Sequence, residues 1–273
     1  MYFCIQNKIR DKNMKTTLKF STLVVALVSA FTFSSCLNSG DTTSYPTYTS
    51  YVTITGDQLM GYTFYSDFGS ILRPTSASVQ EVLPGLSTSK VKRAYVAFDL
   101  ASGNENNQTL ESNKIYDIIL RSSYYANYAL PTYATVRYTA AGSADSLVTK
   151  NQHIQDINKD IWAVNGYANA LITINYDQNK TFSMNTYYSE EDIDVANNTL
   201  SLNLYYNSHS ENPSAQGQSV FSFKLPEEVI YTHQFSTDSI NLVLNAITGF
   251  DDSQLTKVGE CKVALKDFIE PMY

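Results

Sequence analysis

From about residue 50 onward the chain alternates between apolar and polar residues. The stretch "SYVTIT" at 50–55 alternates, "GDQ" turns, and "GYTFYS" follows at 61–66. "DFG" at 67–69 predicts a second turn, with Gly69 free to take a positive φ. "ILRP" continues at 71–74, and "KVKRAYVAFDL" at 90–100 puts Val91, Ala94, Val96 and Phe98 among polar neighbours. "KIYDIILRSSYY" at 114–125 reads as a further strand. A period of two over such runs predicts half-buried antiparallel strands. The polar tract "TKNQHIQDIN" at 149–158 interrupts the pattern, which restarts with "DIWAVNGYANALITINY". Strands are then predicted at 168–176, 180–188, 199–207, 218–225, 239–247 and 260–266, a spacing that suits a β-sandwich. The one helical expectation is a turn around Pro226–Ile230. The reading is all-β: a first domain over 48–150 and a second over 151–273.

The segment before residue 48 follows different rules. Phe20–Phe33 is apolar with scattered Ser and Thr, and is shorter than the roughly 20 residues of a spanning helix. Lys15 and Lys19 precede it, and Ser34, Ser35 and Cys36 follow. A basic n-region, an apolar h-region and small residues make a secretion signal, with translation expected to begin at Met14. The order resembles the lipobox of bacterial lipoproteins, which implies lipid attachment at Cys36 and removal of residues 1–35. Phe33 and Ser35 depart from the usual lipobox residues. An ordinary cut after Ala30 is the alternative. Leu37–Thr47 is rich in Ser, Thr and Asn, as a flexible tether would be.

Charge then narrows the partners. Residues 36–273 carry 14 Lys+Arg against 25 Asp+Glu. That balance argues against nucleic acid, whose binding depends on cations neutralising phosphates. The deficit lies in the second half: residues 45–150 balance, whereas 151–273 hold six basic and sixteen acidic residues. Of the three cysteines, Cys4 precedes the signal's apolar core and Cys36 is the expected lipid site. Cys261 is left without a disulfide partner and is expected to pack as a small hydrophobe.

With "YVTITGD", "GYTFYSDFGSILRPTSASV", "KVKRAYVAFDL", "DIWAVNGYANALITINY" and "NTLSLNLYYNS" in this order, the chain resembles the NigD-like family of Bacteroidetes lipoproteins. The resemblance implies an N-terminal OB-type barrel followed by a C-terminal antiparallel β-sandwich. It supplies no catalytic or ligand-binding residue to carry over. The family's name comes from a bacteriocin-associated gene cluster, which implies an immunity or secretion role by association.

Candidate chemistry is sparse. An OB-type barrel can bind oligosaccharides through stacking aromatics. The first domain offers Tyr62, Phe64, Tyr65, Tyr95, Phe98, Tyr124, Tyr125 and Tyr128. Its basic cluster, Lys90, Lys92 and Arg93, reads as a solvated strand surface. The Tyr-Tyr pairs at 124–125, 187–188 and 205–206 are expected to place one ring inward and one in solvent. Glu190, Glu191, Asp192 and Asp194 form an oxygen-rich loop of the kind that can hold calcium, but lack the EF-hand pattern and read as an acidic hairpin. "GFDDSQ" at 249–254 reads the same way. His153, His209 and His233 have no zinc-ligand spacing, and no nucleophile elbow or phosphate-binding loop is present. No cofactor, metal or catalytic residue is therefore expected. The sequence points to a non-catalytic, lipid-anchored envelope protein, on the periplasmic or cell-surface face of the outer membrane, with a protein or glycan partner. An immunity-type interaction protein and an envelope hydrolase are the alternatives.

Overall fold

The computed structural model describes residues 48–83, 91–101, 109–122, 126–138, 151–249 and 254–271. Cys36 and the signal lie outside them. The described residues form one compact unit with two β lobes.

The first lobe is a closed five-stranded barrel. Its strands are β1 (Tyr48–Asp57), β2 (Gly61–Ser66), β3 (Ile71–Pro74), β4 (Arg93–Leu100) and β5 (Ile115–Leu120). The hydrogen-bonded order is β1-β2-β3-β5-β4, and β4 closes on β1 with Tyr51 opposite Tyr95 and Thr53 opposite Arg93. β3 and β5 are parallel. This is the OB-type barrel expected. Alternate residues fill it: Val52 and Ile54, Phe64, Leu72, then Ala94, Val96 and Phe98, then Tyr116, Ile118 and Leu120. Each fully buried Phe or Leu contributes about 1.5–3 kcal/mol through the hydrophobic effect.

A helix, α1 (Ser76–Val82), lies between β3 and β4 and adds Val79 to the barrel core. Thr75 caps it by accepting from the Ser78 backbone N–H at 3.4 Å. The sequence reading missed this helix, because seven residues are too few to display a 3.6-residue period. The expected turn near residue 230 is a second short helix, α2 (Glu228–Thr232).

The chain changes lobes earlier than the polar tract at 149–158. β6 (Tyr128–Ala129) still pairs with β4 of the barrel. β7 (Thr132–Tyr133) and β8 (Thr135–Arg137) already pair, in parallel, with strands of the second lobe. Residues 132–137 thus belong to sandwich sheets. Pairing, rather than the break in pattern, marks the crossover.

The second lobe is a β-sandwich. One sheet runs β10 (Trp162–Val164), β11 (Tyr167–Tyr176), β15 (Ala215–Lys224), β7, with β9 (Asp156–Ile157) also on β11. The other runs β17 (Thr256–Ala264), β16 (Ser239–Ala246), β14 (Thr199–Asn207), β12 (Ser183–Tyr188), β8, with β13 (Ile193–Asp194) on β14. Pairing is antiparallel except for β7–β15, β8–β12 and β14–β16. Ile172, Ile174, Leu202, Leu204, Phe223, Leu242 and Val263 interleave between the sheets. No helix among the described residues is long and apolar enough to cross a membrane.

Candidate functional site

The two stretches singled out in the sequence, "SDFGSILRP" and "DIWAVNGY", meet where the lobes join. Asp67 sits in the β2–β3 turn, which Gly69 closes at φ +89° as expected. Arg93 opens β4 beside Thr53 of β1. The guanidinium grips Asp67 with two hydrogen bonds, Nη1 to Oδ1 at 2.6 Å and Nη2 to Oδ2 at 2.8 Å. Nη1 also donates to Thr53 Oγ1 at 3.0 Å, and Nη2 to Asn169 Oδ1 of the sandwich at 2.9 Å. Trp162 Nε1–H donates to Asp67 Oδ2 at 2.7 Å, and the Ser222 hydroxyl donates to Asn169 Oδ1 at 2.7 Å. Arg93 is fully buried, which corrects its expected place on a solvated strand. It does point out of the barrel, but the sandwich covers that face. Burying a charge costs several kcal/mol unless it is paired and hydrogen-bonded, and the paired carboxylate meets that requirement here.

The turn after Trp162 fixes this contact. Asn165 and Gly166 take φ of +53° and +84°, the two-residue turn that Asn-Gly favours between antiparallel strands. It aligns Trp162 opposite Asn169. The dipeptide was a readable hairpin signal that the sequence reading passed over.

Above the ion pair runs a row of aromatic rings. Tyr51 of β1, Tyr95 of β4 and Tyr128 of β6 are cross-strand partners on the outer barrel face. Their ring centroids lie 4.7 Å (Tyr51–Tyr95) and 5.7 Å (Tyr95–Tyr128) apart. At the other end Tyr51 meets Trp162 of the sandwich at 5.4 Å. Such pairs contribute about 0.5–1.5 kcal/mol each beyond area burial. Tyr128 is 43% exposed and the other three rings are half-buried. Burial, and the neighbouring phenols, raise the Tyr51 and Tyr128 hydroxyls above the ordinary phenol range. Of the aromatics named from sequence, Phe64 and Phe98 are core and Tyr62 packs against it. Tyr124 and Tyr125 lie outside the described residues, as do Lys90 and residues 250–253 of "GFDDSQ". Tyr51 and Trp162 were missed, because strand register and lobe docking bring them into the row.

The other candidates go separate ways. Glu190 holds Arg137 Nη2 and His233 Nε2, both at 2.8 Å. Asp192 accepts from the Ser189 N–H and from Asn203, while Asp194 accepts from Asn197. The acidic carboxylates therefore serve different partners, and no group of three potential metal donors occurs among the described residues. His209 pairs with the Ser183 hydroxyl at 2.7 Å. Tyr188 and Tyr206 point into the sandwich as expected, but Tyr187 and Tyr205 are also buried, clustering with Tyr138 instead of meeting solvent. Cys261 packs on the sandwich core, and burial pushes its thiol up to about 11. A 10 Å³ void inside the sandwich, walled by Ala168, Leu202, Phe223 and Leu242, is an apolar packing gap.

Residues 136–256 match the family described as NigD-like C-terminal beta sandwich domain. The second lobe is a NigD-like domain. The resemblance drawn from sequence therefore holds, and the NigD-like lobe carries Trp162, Asn165 and Asn169 to the junction. Among solved structures, a "NigD-like immunity protein" from Bacteroides caccae aligns with TM-score 0.51 and 14% identity over 77% of this chain and 90% of that one. A protein from Bacteroides fragilis named "Putative lipoprotein" aligns with TM-score 0.53 and 13% identity, over 80% of this chain and 97% of its own. A "Putative TOXIN related protein" from Parabacteroides distasonis gives TM-score 0.53 and 13% identity, over 81% and 94%. At these identities the likeness is one of fold: the barrel followed by the NigD-like lobe. No curated protein matches.

Proposed function

We propose that this chain is a non-catalytic, lipid-anchored protein of the bacterial cell envelope that works by binding, with the Tyr51–Tyr95–Tyr128–Trp162 row as its contact surface. That row carries the proposal. Tyr and Trp give large contact area at small conformational cost and dominate measured binding hot spots. Here they form one band across both lobes, exposed at Tyr128 and half-buried at the other three rings. Anchoring through Cys36 to the outer membrane, on its periplasmic or cell-surface face, belongs to the same proposal. The name of the Bacteroides fragilis structure supports it. Two acyl chains on one cysteine suffice for stable membrane attachment.

The immunity-type reading has its own support in the names of the Bacteroides caccae and Parabacteroides distasonis structures. In it, the same row contacts a toxin polypeptide. A photo-crosslinking side chain at position 128, activated in intact cells, tests the contact surface. Adducts at position 128 and none at exposed Tyr231, on the sandwich helix α2, are expected. Equal labelling at both positions would refute it. Metabolic labelling with a palmitate analogue tests the anchor: incorporation in wild type and its loss in Cys36→Ala are expected.

A further inference from the structure

We infer that the ligand of the aromatic row is an uncharged, extended oligosaccharide. The inference rests on the binding reading above and adds the ligand's chemistry.

Three observations carry it. First, successive rings at 4.7 and 5.7 Å, continued by Trp162 at 5.4 Å, follow one another at about the length of one sugar residue in an extended chain. Sugars present patches of C–H that pack against aromatic rings, and the row offers four rings in series. Second, the hydroxyls of Tyr51, Tyr95 and Tyr128 make no hydrogen bond to any described residue, although other phenols do so, as Tyr167 with Glu270 at 2.8 Å and Tyr206 with the Asn175 carbonyl at 2.5 Å. Burial, and after it the neighbouring phenols, raises the hydroxyls of Tyr51 and Tyr128. A phenol both donates and accepts, and a polyhydroxyl ligand meets both needs along an apolar band. Third, the cations near the row are already engaged. Arg93 is locked to Asp67, and Arg121 holds Asp99 at 2.7 Å. Among the described residues, these two guanidiniums already hold carboxylates, which disfavours their selecting phosphate, sulfate or uronate.

The row is also held in advance of any ligand. Asp67 fixes the indole of Trp162, Trp162 packs on Tyr51, and the strand ladder sets Tyr95 and Tyr128. Pre-organisation of this kind lowers the ordering cost of binding.

Native affinity electrophoresis tests the inference. The full-length protein in detergent is run through gels containing β-glucan, mannan, xylan or galactan, with pectin and heparin as charged controls. At least one uncharged polysaccharide should retard the wild type. Tyr128→Ala and Tyr95→Ala should each weaken that retardation tenfold or more, and Tyr128→Phe, which loses only the hydroxyl, several-fold. Melting curves identify variants that keep the wild-type fold, and exposed Tyr128 is the safer position. Lack of retardation by every neutral polymer, retardation by the charged controls alone, or equal retardation of wild type and Tyr128→Ala would each overturn the inference. Crosslinking from position 128 separates the two readings. A polypeptide adduct with silent glycan gels leaves the row a binding surface and removes the sugar. If position 128 yields no adduct and the gels stay silent, both are lost.

Discussion

Trp162 and Asp67 come from different lobes, and the indole N–H of one donates to the carboxylate of the other at 2.7 Å. The same carboxylate is held by the buried guanidinium of Arg93. A hydrogen bond to a charged group contributes about 1.5–3 kcal/mol, and removing one partner of a buried ion pair costs about 3–5 kcal/mol. Trp162→Phe should therefore lower the urea-unfolding free energy by about 2 kcal/mol. Asp67→Ala should lower it by about 3–5 kcal/mol, because Arg93 would stay buried without its counter-charge. Equal small losses in both variants would show that the junction does not depend on the pair.

Gly166 tests the hairpin beneath Trp162. Its φ is +84°, and a Cβ there would lie 2.9 Å from the Glu270 backbone nitrogen. The left-handed conformation alone costs a side chain about 1–2 kcal/mol. Gly166→Ala should thus destabilise by about 2 kcal/mol or more, with the clash added to the conformational cost. Asn165→Ala, which adds no Cβ at φ +53° and gives up only the 3.4 Å amide bonds to the Tyr65 and Ser66 carbonyls, should cost less than Gly166→Ala. Chemical denaturation of the two variants in parallel gives the ranking.

Acid should loosen the acidic loop. The hydrogen bonds from His233 and Arg137 hold the Glu190 carboxyl below its ordinary value of 4.5. A depressed folded-state pKa gives stability that is complete above the unfolded value and fades as pH falls through the folded one. A melting-temperature gap between wild type and Glu190→Gln should therefore be present above the ordinary carboxyl value. It should close as the pH drops below about 4.5. A gap that widens on acidification would contradict this sign.

Cys261 provides a probe of sandwich integrity. With its thiol pushed up to about 11, little thiolate exists at pH 8. Its reaction with a disulfide reagent should be on the order of 10²-fold slower than in the urea-unfolded chain, where the thiol has its ordinary pKa near 8.5. Comparable rates in the two states would place the thiol in solvent.

The strands were legible because each has a buried and an outward face, so period two survives in the sequence. Gly61–Ser66, Ile71–Pro74 and Thr199–Asn207 begin and end where the pattern places them. Outward positions were not legible in the same way. Arg93 and Tyr95 share one face of β4, yet one is buried under the sandwich and the other lines an open row. Which of them is covered depends on docking with residues about 70 positions away, such as Trp162 and Asn169. Tyr187 and Tyr205 were misplaced for the same reason, since Tyr138 covers them. Half of the aromatic row could be named from sequence, and the strand register supplied the rest.

The first described strand is hydrogen-bonded on both flanks, to β2 and to β4. Tension entering from the preceding chain would pull Tyr48–Asp57 along its own axis. Two ladders would then be loaded in shear, so many bonds would have to fail together rather than unzip one by one. If the chain is moored through Cys36, its attachment point is mechanically strong, and the lobe bearing the aromatic row would stay folded while a bound polymer is tugged.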